Sequence, residues 1–276
     1  MKPVTATAIV LSVIVVSMLA AFSIPLLYSS SLYPSQAGNE RISASNIYAL
    51  NINDPNGYIY IGAWNGSQIQ VTYAINYFLI NPGVPSIKAS NGTLNINARS
   101  IFTYFFGYYV VNIKVLLPYT MAPYISVNSV DGSTSINMPA AEIASVTTTN
   151  GNIEANISHV TQINLATTNG NINLYTLEAK NVYVSTVNGE ISANLNGPLY
   201  GNYVFTDVNG NVNVLVPPNV SVEFTISSTN GGYGVSGIQL KSSGTTSNQI
   251  QGIAGNGTAN LHESTTNGNA FLESDQ

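Results

Sequence analysis

Apolar and polar residues alternate one by one through much of this chain, and a recurring dipeptide punctuates the alternation. Asp131-Gly132, Asn150-Gly151, Asn169-Gly170, Asn188-Gly189, Asn209-Gly210 and Asn230-Gly231 succeed one another at gaps of 19, 19, 19, 21 and 21 residues. Four residues before these turns stand Val146, Leu165, Val184, Phe205 and Ile226; six before stand Ala144, Ile163, Val182, Tyr203 and Phe224. Three after them stand Ile153, Ile172, Ile191 and Val212; five after stand Ala155, Leu174, Ala193 and Val214. A period of two on both sides of each turn predicts strand, tight turn, strand and second turn in every copy.

Two folds satisfy that pattern. In an antiparallel meander each Asn-Gly would form a type I′ hairpin tip. In a parallel β-solenoid each copy is one coil, and equivalent positions stack about 4.8 Å apart. A meander needs alternation only within each strand, whereas a solenoid needs the same kind of residue at the same place in every coil. The columns above, with "TTN", "TTN", "TVN", "DVN" and "STN" at the turns, favour an all-β parallel solenoid with coils of 19–21 residues. In that fold Gly is expected to supply a positive-φ corner, while Asn bonds its own backbone and stacks on its copies.

The N-terminus breaks the pattern. Val4 to Tyr28 is an uncharged stretch of 25 residues, about 37 Å long as a helix against roughly 30 Å of hydrocarbon. Residues 1–28 read as a membrane anchor, or alternatively as a cleaved signal, whose apolar region is typically shorter. The anchor gives a single-pass membrane protein with its C-terminal domain outside; cleavage gives a secreted one. Residues 29–44 read as a polar linker. Residues 45–125 form an aromatic-rich β part and cap, 126–240 the regular coils, and 241–276 a loop and a last, weaker coil.

Composition narrows the function classes. Of 276 residues only 7% are charged, the formal net charge is −5 and there is no cysteine. Thiol chemistry and disulfides are excluded, and nucleic acid is not an expected partner because no Lys/Arg cluster is present to neutralise phosphates. So few ionisable groups predict a fold that loses little on acidification, and with it an acidic or otherwise harsh exterior. Asn65, Asn91, Asn156, Asn219 and Asn256 begin N-x-S/T triplets, which permit glycosylation.

The run from Val111 to Leu195, with "TTTNGNIEANI", "ATTNGNINLYT" and "STVNGEISANL" at its centre, resembles the putative adhesin family of prokaryotic cell-surface β-strand-repeat proteins. "LNINDPNGYIYIGAWNGSQIQVTY" is similar to that family's opening section and "VFTDVNGNVNVLVPPNVSVEFTISSTNGGYGVSG" to its closing one. The resemblance implies a right-handed β-solenoid outside the membrane, with no catalytic residues and no cofactor. Where relatives often carry Asp or Glu after the turn Gly, this chain has Asn152, Asn171 and Asn211, with Glu190 the exception. Metal binding by an acidic ladder is therefore not expected.

Other candidate chemistry is sparse. His159 and His262 lie far apart without a metal or catalytic spacing, so they read as solvated or capping residues. Glu154, Glu178 and Glu190 sit at different offsets from their turns and do not form the facing pair a glycosidase needs. Ten tyrosines fall between Tyr48 and Tyr124. Within "IFTYFFGYYVV", Tyr104, Phe106, Tyr108 and Tyr109 form an interaction patch, since aromatic faces stack on sugars and protein partners, or else Phe102, Tyr104 and Phe106 alternate inward to plug the N-terminal end of the solenoid. The expected function is a non-enzymatic surface rod that meets a protein or glycan partner. The alternatives are a subunit that self-associates through its end coils and a polysaccharide-acting β-helix enzyme.

Overall fold

The computed structural model describes residues 35–78, 81–98 and 108–274, except for the side chain of Tyr108. Within them every regular element is a strand. The N-terminal part holds β1 (Ser35–Ser43), β2 (Ala49–Asn56), β3 (Ile59–Trp64), β4 (Gln68–Phe78), β5 (Ser86–Ser90), β6 (Thr93–Asn97) and β7 (Tyr108–Pro118). The regular part follows with β8 (Tyr124–Asp131), β9 (Thr134–Asn150), β10 (Ile153–Asn169), β11 (Ile172–Thr176), β12 (Glu178–Ser185), β13 (Ile191–Leu195), β14 (Gly201–Thr206) and β15 (Val212–Val216). The chain ends with β16 (Val222–Ser228), β17 (Tyr233–Ser236), β18 (Leu240–Thr245), β19 (Gln249–Ala254), β20 (Ala259–Thr265) and β21 (Ala270–Ser274).

The repeats pair in parallel, which settles the fold as a solenoid rather than a meander. Ile153 of β10 faces Ile172 of β11, which faces Ile191 of β13, which faces Val212 of β15. On the second face Ile163, Val182 and Tyr203 align in the same way through β10, β12 and β14. Every residue of the four alternating columns is buried, so they form one continuous core between the faces. Burying a Val, Leu, Ile or Phe side chain contributes about 1.5–3 kcal/mol, and each turn's columns add at least two of these, with Ala144, Ala155 and Ala193 among the smaller fillers.

The rungs do not follow one another in chain order, and this corrects the expected sequential stack. β16 and β17 are not laid directly on β14 and β15. The C-terminal rung, β20 with β21, is inserted between: β14 and β16 both pair with β20, and β15 and β17 both pair with β21. The other end repeats the device. The β2/β3 rung lies between the β6/β7 rung and the β8/β9 rung. Residues 259–274, expected as a trailing weak coil, are thus an internal layer.

Antiparallel strands cover the ends. β5 covers β6; β4 and then β1 cover β7; β19 and then β18 cover β16. Residues 35–43, expected within the flexible linker, are therefore strand β1, because the outer edge of β4 offers a full row of backbone partners. The expected loop after residue 240 is the β18–β19 hairpin. The membrane or signal segment, residues 4–28, lies outside the described residues; among those described, no helix is long and apolar enough to cross a membrane.

Candidate functional site

The recurring corner is built from three parallel rows of hydrogen bonds. Asn150 Nδ2 donates to Asp131 Oδ1 at 2.6 Å, Asn169 to Asn150 at 2.7 Å, Asn188 to Asn169 at 2.8 Å and Asn209 to Asn188 at 2.9 Å. The row then continues in spatial order, through Asn267 at 2.7 Å and from there to Asn230 at 2.9 Å. Two residues further on, the side-chain oxygens of Asn152 and Asn171 accept the backbone N–H of Asn171 and Glu190. Two residues before the Asn, the hydroxyls of Thr148, Thr167, Thr186, Thr265 and Ser228 donate to the Gly carbonyl of the neighbouring rung. These side chains spend their polar atoms on the rung beside them, so the corner is scaffold.

The glycines have a different reason from the one expected. None of Gly132, Gly151, Gly170, Gly189, Gly210 and Gly231 has a positive φ. A Cβ on any of them would fall far inside contact distance of the glycine carbonyl in the adjacent rung: Gly57 for Gly132, Gly151 for Gly170, Gly268 for Gly231. Close backbone approach, repeated at each layer, selects Gly here.

Two surfaces depart from this polar scaffold. Near the N-terminal end Tyr58, Tyr60 and Tyr73, with Asn112 and Lys114, line an open cleft of about 350 Å³. Lys114 Nζ lies 5.6 Å from the centre of the Tyr60 ring, a cation–π distance. Along the second corner of the coils runs a cleft of about 520 Å³ that includes Ala140, His159, Glu178, Lys180 and Tyr200. It continues past Pro198 and Tyr200 into one of about 450 Å³ beside Asn219 and Asn256. Stacking brings His159 Nδ1 to 3.1 Å from Glu178 Oε2; the two lie 19 residues apart, one coil, so the repeat period was the signal for this pairing. Both side chains are more than half exposed, so the pair contributes little.

The aromatic patch expected at residues 104–109 is only partly described. Tyr104 and Phe106 lie outside the described residues, as does the side chain of Tyr108. Tyr109 is 6% exposed: it faces the core and is no surface contact, while Phe102, Tyr104 and Phe106, the residues expected to plug the end, lie outside the described residues. The aromatic surface that the fold does present is the Tyr58–Tyr60–Tyr73 cleft, assembled from three strands or their flanks and invisible as a local run. Asn65, Asn91, Asn156, Asn219 and Asn256 are all exposed.

Three buried carboxyl groups also escaped the sequence reading. Asp54 and Asp207 stand two residues before Asn56 and Asn209, in the row otherwise held by Thr and Ser. Burial raises Asp54 from its ordinary 3.8 to about 7, against a smaller opposing effect of the Asn56 N–H. Asp207 is raised chiefly by burial, opposed by the N–H groups of Val208 and Asn209, with Glu190 adding to the rise. Glu263 stands four residues before Asn267, in the aliphatic column; burial and then the charge of Glu273 push it well above the carboxylate range. Counting back from the Asn267-Gly268 turn would have found it. Among the described residues no three His, Asp or Glu side chains gather as metal ligands would.

Comparison with known proteins places this architecture. The model of the Toastrack DUF4097 family matches residues 86–273, more than half of the chain. No curated protein sequence matches. Among solved structures, a putative cell adhesion protein from Clostridium sporogenes is similar at 12% identity and a TM-score of 0.41, over 88% of this chain and 100% of that one. A putative adhesin from Bacteroides fragilis is similar at 12% identity and a TM-score of 0.38, over 88% and 97% of the two chains. A putative lipid binding protein from Parabacteroides distasonis is similar at 14% identity and a TM-score of 0.43, over 88% and 97%.

Proposed function

Because this chain belongs to the Toastrack DUF4097 family, we propose that it is a non-enzymatic cell-surface interaction protein, a stiff polar rod that holds an aromatic cleft toward a glycan partner. The N-terminal segment, residues 4–28, carries the rod to the outside, where it stays anchored or is released. The observation that supports the binding role is the Tyr58–Tyr60–Tyr73 cleft with Lys114 at its side. Tyrosine faces stack on the apolar faces of sugar rings, and the neighbouring Asn and Lys donors suit hydroxyl or carboxyl oxygens. No reaction is assigned: Glu154 stands between Ser135 and Asn173, and Glu178 faces His159, so neither stands opposite a second carboxylate.

The test is binding of the full chain to an array of neutral and uronic-acid glycans. The double variant Tyr58→Ala, Tyr60→Ala should lose at least tenfold in apparent affinity with its melting temperature nearly unchanged, whereas Tyr200→Ala in the other cleft should not. Equal binding by the double variant and the native protein would overturn the reading.

A further inference from the structure

Both rungs that enter the stack out of chain order carry a buried acid, and the second inserts against another. Glu263 of the inserted β20 lies between Phe205 of β14 and Ile226 of β16, in a column otherwise filled by Val146, Leu165 and Val184. It is 0% exposed, and neither carboxyl oxygen has a hydrogen-bond partner. No cation answers it from the strands packed against it. β15 brings no ionisable group, β14 brings only Tyr203, whose hydroxyl donates to the Ala179 carbonyl, and Glu223 of β16 is exposed. On its own strand His262 is also exposed, and β21 contributes the like-charged Glu273.

Asp207, in the rung that receives this insertion, shows how a proton could be used. Its Oδ1 accepts the N–H groups of Val208 and Asn209, while Oδ2 is buried without a partner. Oδ2 and the Gly189 carbonyl oxygen crowd the same point beside Gly210. In the row on either side, a Thr hydroxyl donates to the equivalent carbonyl. A protonated Asp207 can make that bond; an ionised one sets two acceptors against each other. Thr186 and Thr265 flank it in the row, and Glu190 is the charge it feels. At the other end Asp54 lies in the inserted β2 between β6 and β8, with Asp131 at the end of β8, Lys114 exposed on nearby β7, and no lysine or arginine on β6 or β8.

The geometry points to an acid-locked latch: the inserted rung, residues 259–274, is seated between its neighbours while Glu263 carries its proton, and is released when that carboxyl ionises. A carboxylate with no partner cannot remain in an aliphatic column at low cost, whereas the neutral acid can. Insertion itself supplies the moving part, because β20 and β21 are held by two interfaces that both open if the rung leaves. The rest of the stack, from β8 to β15, keeps its sequential pairing.

Hydrogen exchange of the folded protein at pH 4 and pH 7.5, corrected for intrinsic exchange rates, reads the latch directly. Peptides within 259–274 should lose at least tenfold in protection at pH 7.5, while peptides within 153–176 lose much less. Glu263→Leu, which restores the aliphatic column, should hold the rung at both pH values. Glu263→Gln gives a second arm if leucine overpacks the site, and should remove the pH dependence at whatever protection it retains. Equal protection of 259–274 at both pH values in the native chain, or the same pH-dependent loss in both variants, would overturn the proposal.

Discussion

At the scale of single residues, the corner shows why one dipeptide recurs. Asn supplies a side chain that donates to one rung and accepts from the next, and Gly lets two backbones meet where a methyl group cannot fit. Asn188→Ala removes two exposed ladder bonds and should cost about 1 kcal/mol in thermal or denaturant unfolding. Gly170→Ala forces the Gly151 carbonyl aside and should cost about 1–3 kcal/mol, whereas Gly244→Ala, whose Cβ meets nothing, should stay within about 0.5 kcal/mol of the native protein. Comparable losses in the two glycine variants would refute the close-approach explanation. The sequence made the Asn-Gly positions conspicuous but attributed the Gly to φ, because crowding between rungs depends on carbonyls a whole coil away.

At the scale of the strand, period-two columns carried most of the information. Every column residue from Ala144 to Ile226 is buried as its alternation required, and the parallel register follows the turn spacing. Ile172→Asp puts a charge into that core and should abolish cooperative unfolding at neutral pH. Glu190→Gln retains the oxygen that accepts from Asn211 Nδ2 and should leave the melting temperature within a few degrees; equal melting temperatures for the two would sink the packing account. What alternation could not show was which strand lies beside which. β2 and β20 carry ordinary strand patterns, and nothing local to them says that they pair between rungs distant in the chain. Edge coverage was equally hidden: β1 reads as a polar tether, and only the open side of β4 makes it a strand. The Tyr58–Tyr60–Tyr73 cleft escaped for the same reason, since β3, β4 and β7 meet there only in three dimensions.

At the scale of the whole molecule, the buried acids set the response to pH. Asp54, Asp207 and Glu263 are all raised in the folded state, so the native protein binds protons that the unfolded chain has already released. Stability is therefore greatest below the unfolded carboxyl range and falls as pH rises. For Asp54 that window runs from its ordinary 3.8 to about 7, and within it each fully released proton costs about 1.4 kcal/mol per pH unit. The melting temperature should be higher at pH 4 than at pH 7.5, and a profile that rises over this interval would contradict the role given to these groups. Low charge on the surface suggested indifference to acid; the interior predicts a preference for it.

The rod is interlocked, with its C-terminal rung inserted between rungs that precede it in the chain. The absence of native cysteine allows a direct measurement. Asn202, Asn260 and Glu223 occupy one outward row on β14, β20 and β16, with Asn260 in the middle. Adjacent parallel strands place Cα atoms about 4.8 Å apart, within reach of a disulfide, and strands two apart about 10 Å, beyond it. With one equivalent of 4,4′-dithiodipyridine, which oxidises paired thiols even at pH 4 and leaves as two thiopyridones, the pair Asn202→Cys, Asn260→Cys should cross-link and raise the melting temperature, while the pair Asn202→Cys, Glu223→Cys should form no internal disulfide. Efficient cross-linking of the second pair, with none in the first, would show a stack in simple chain order and contradict the account.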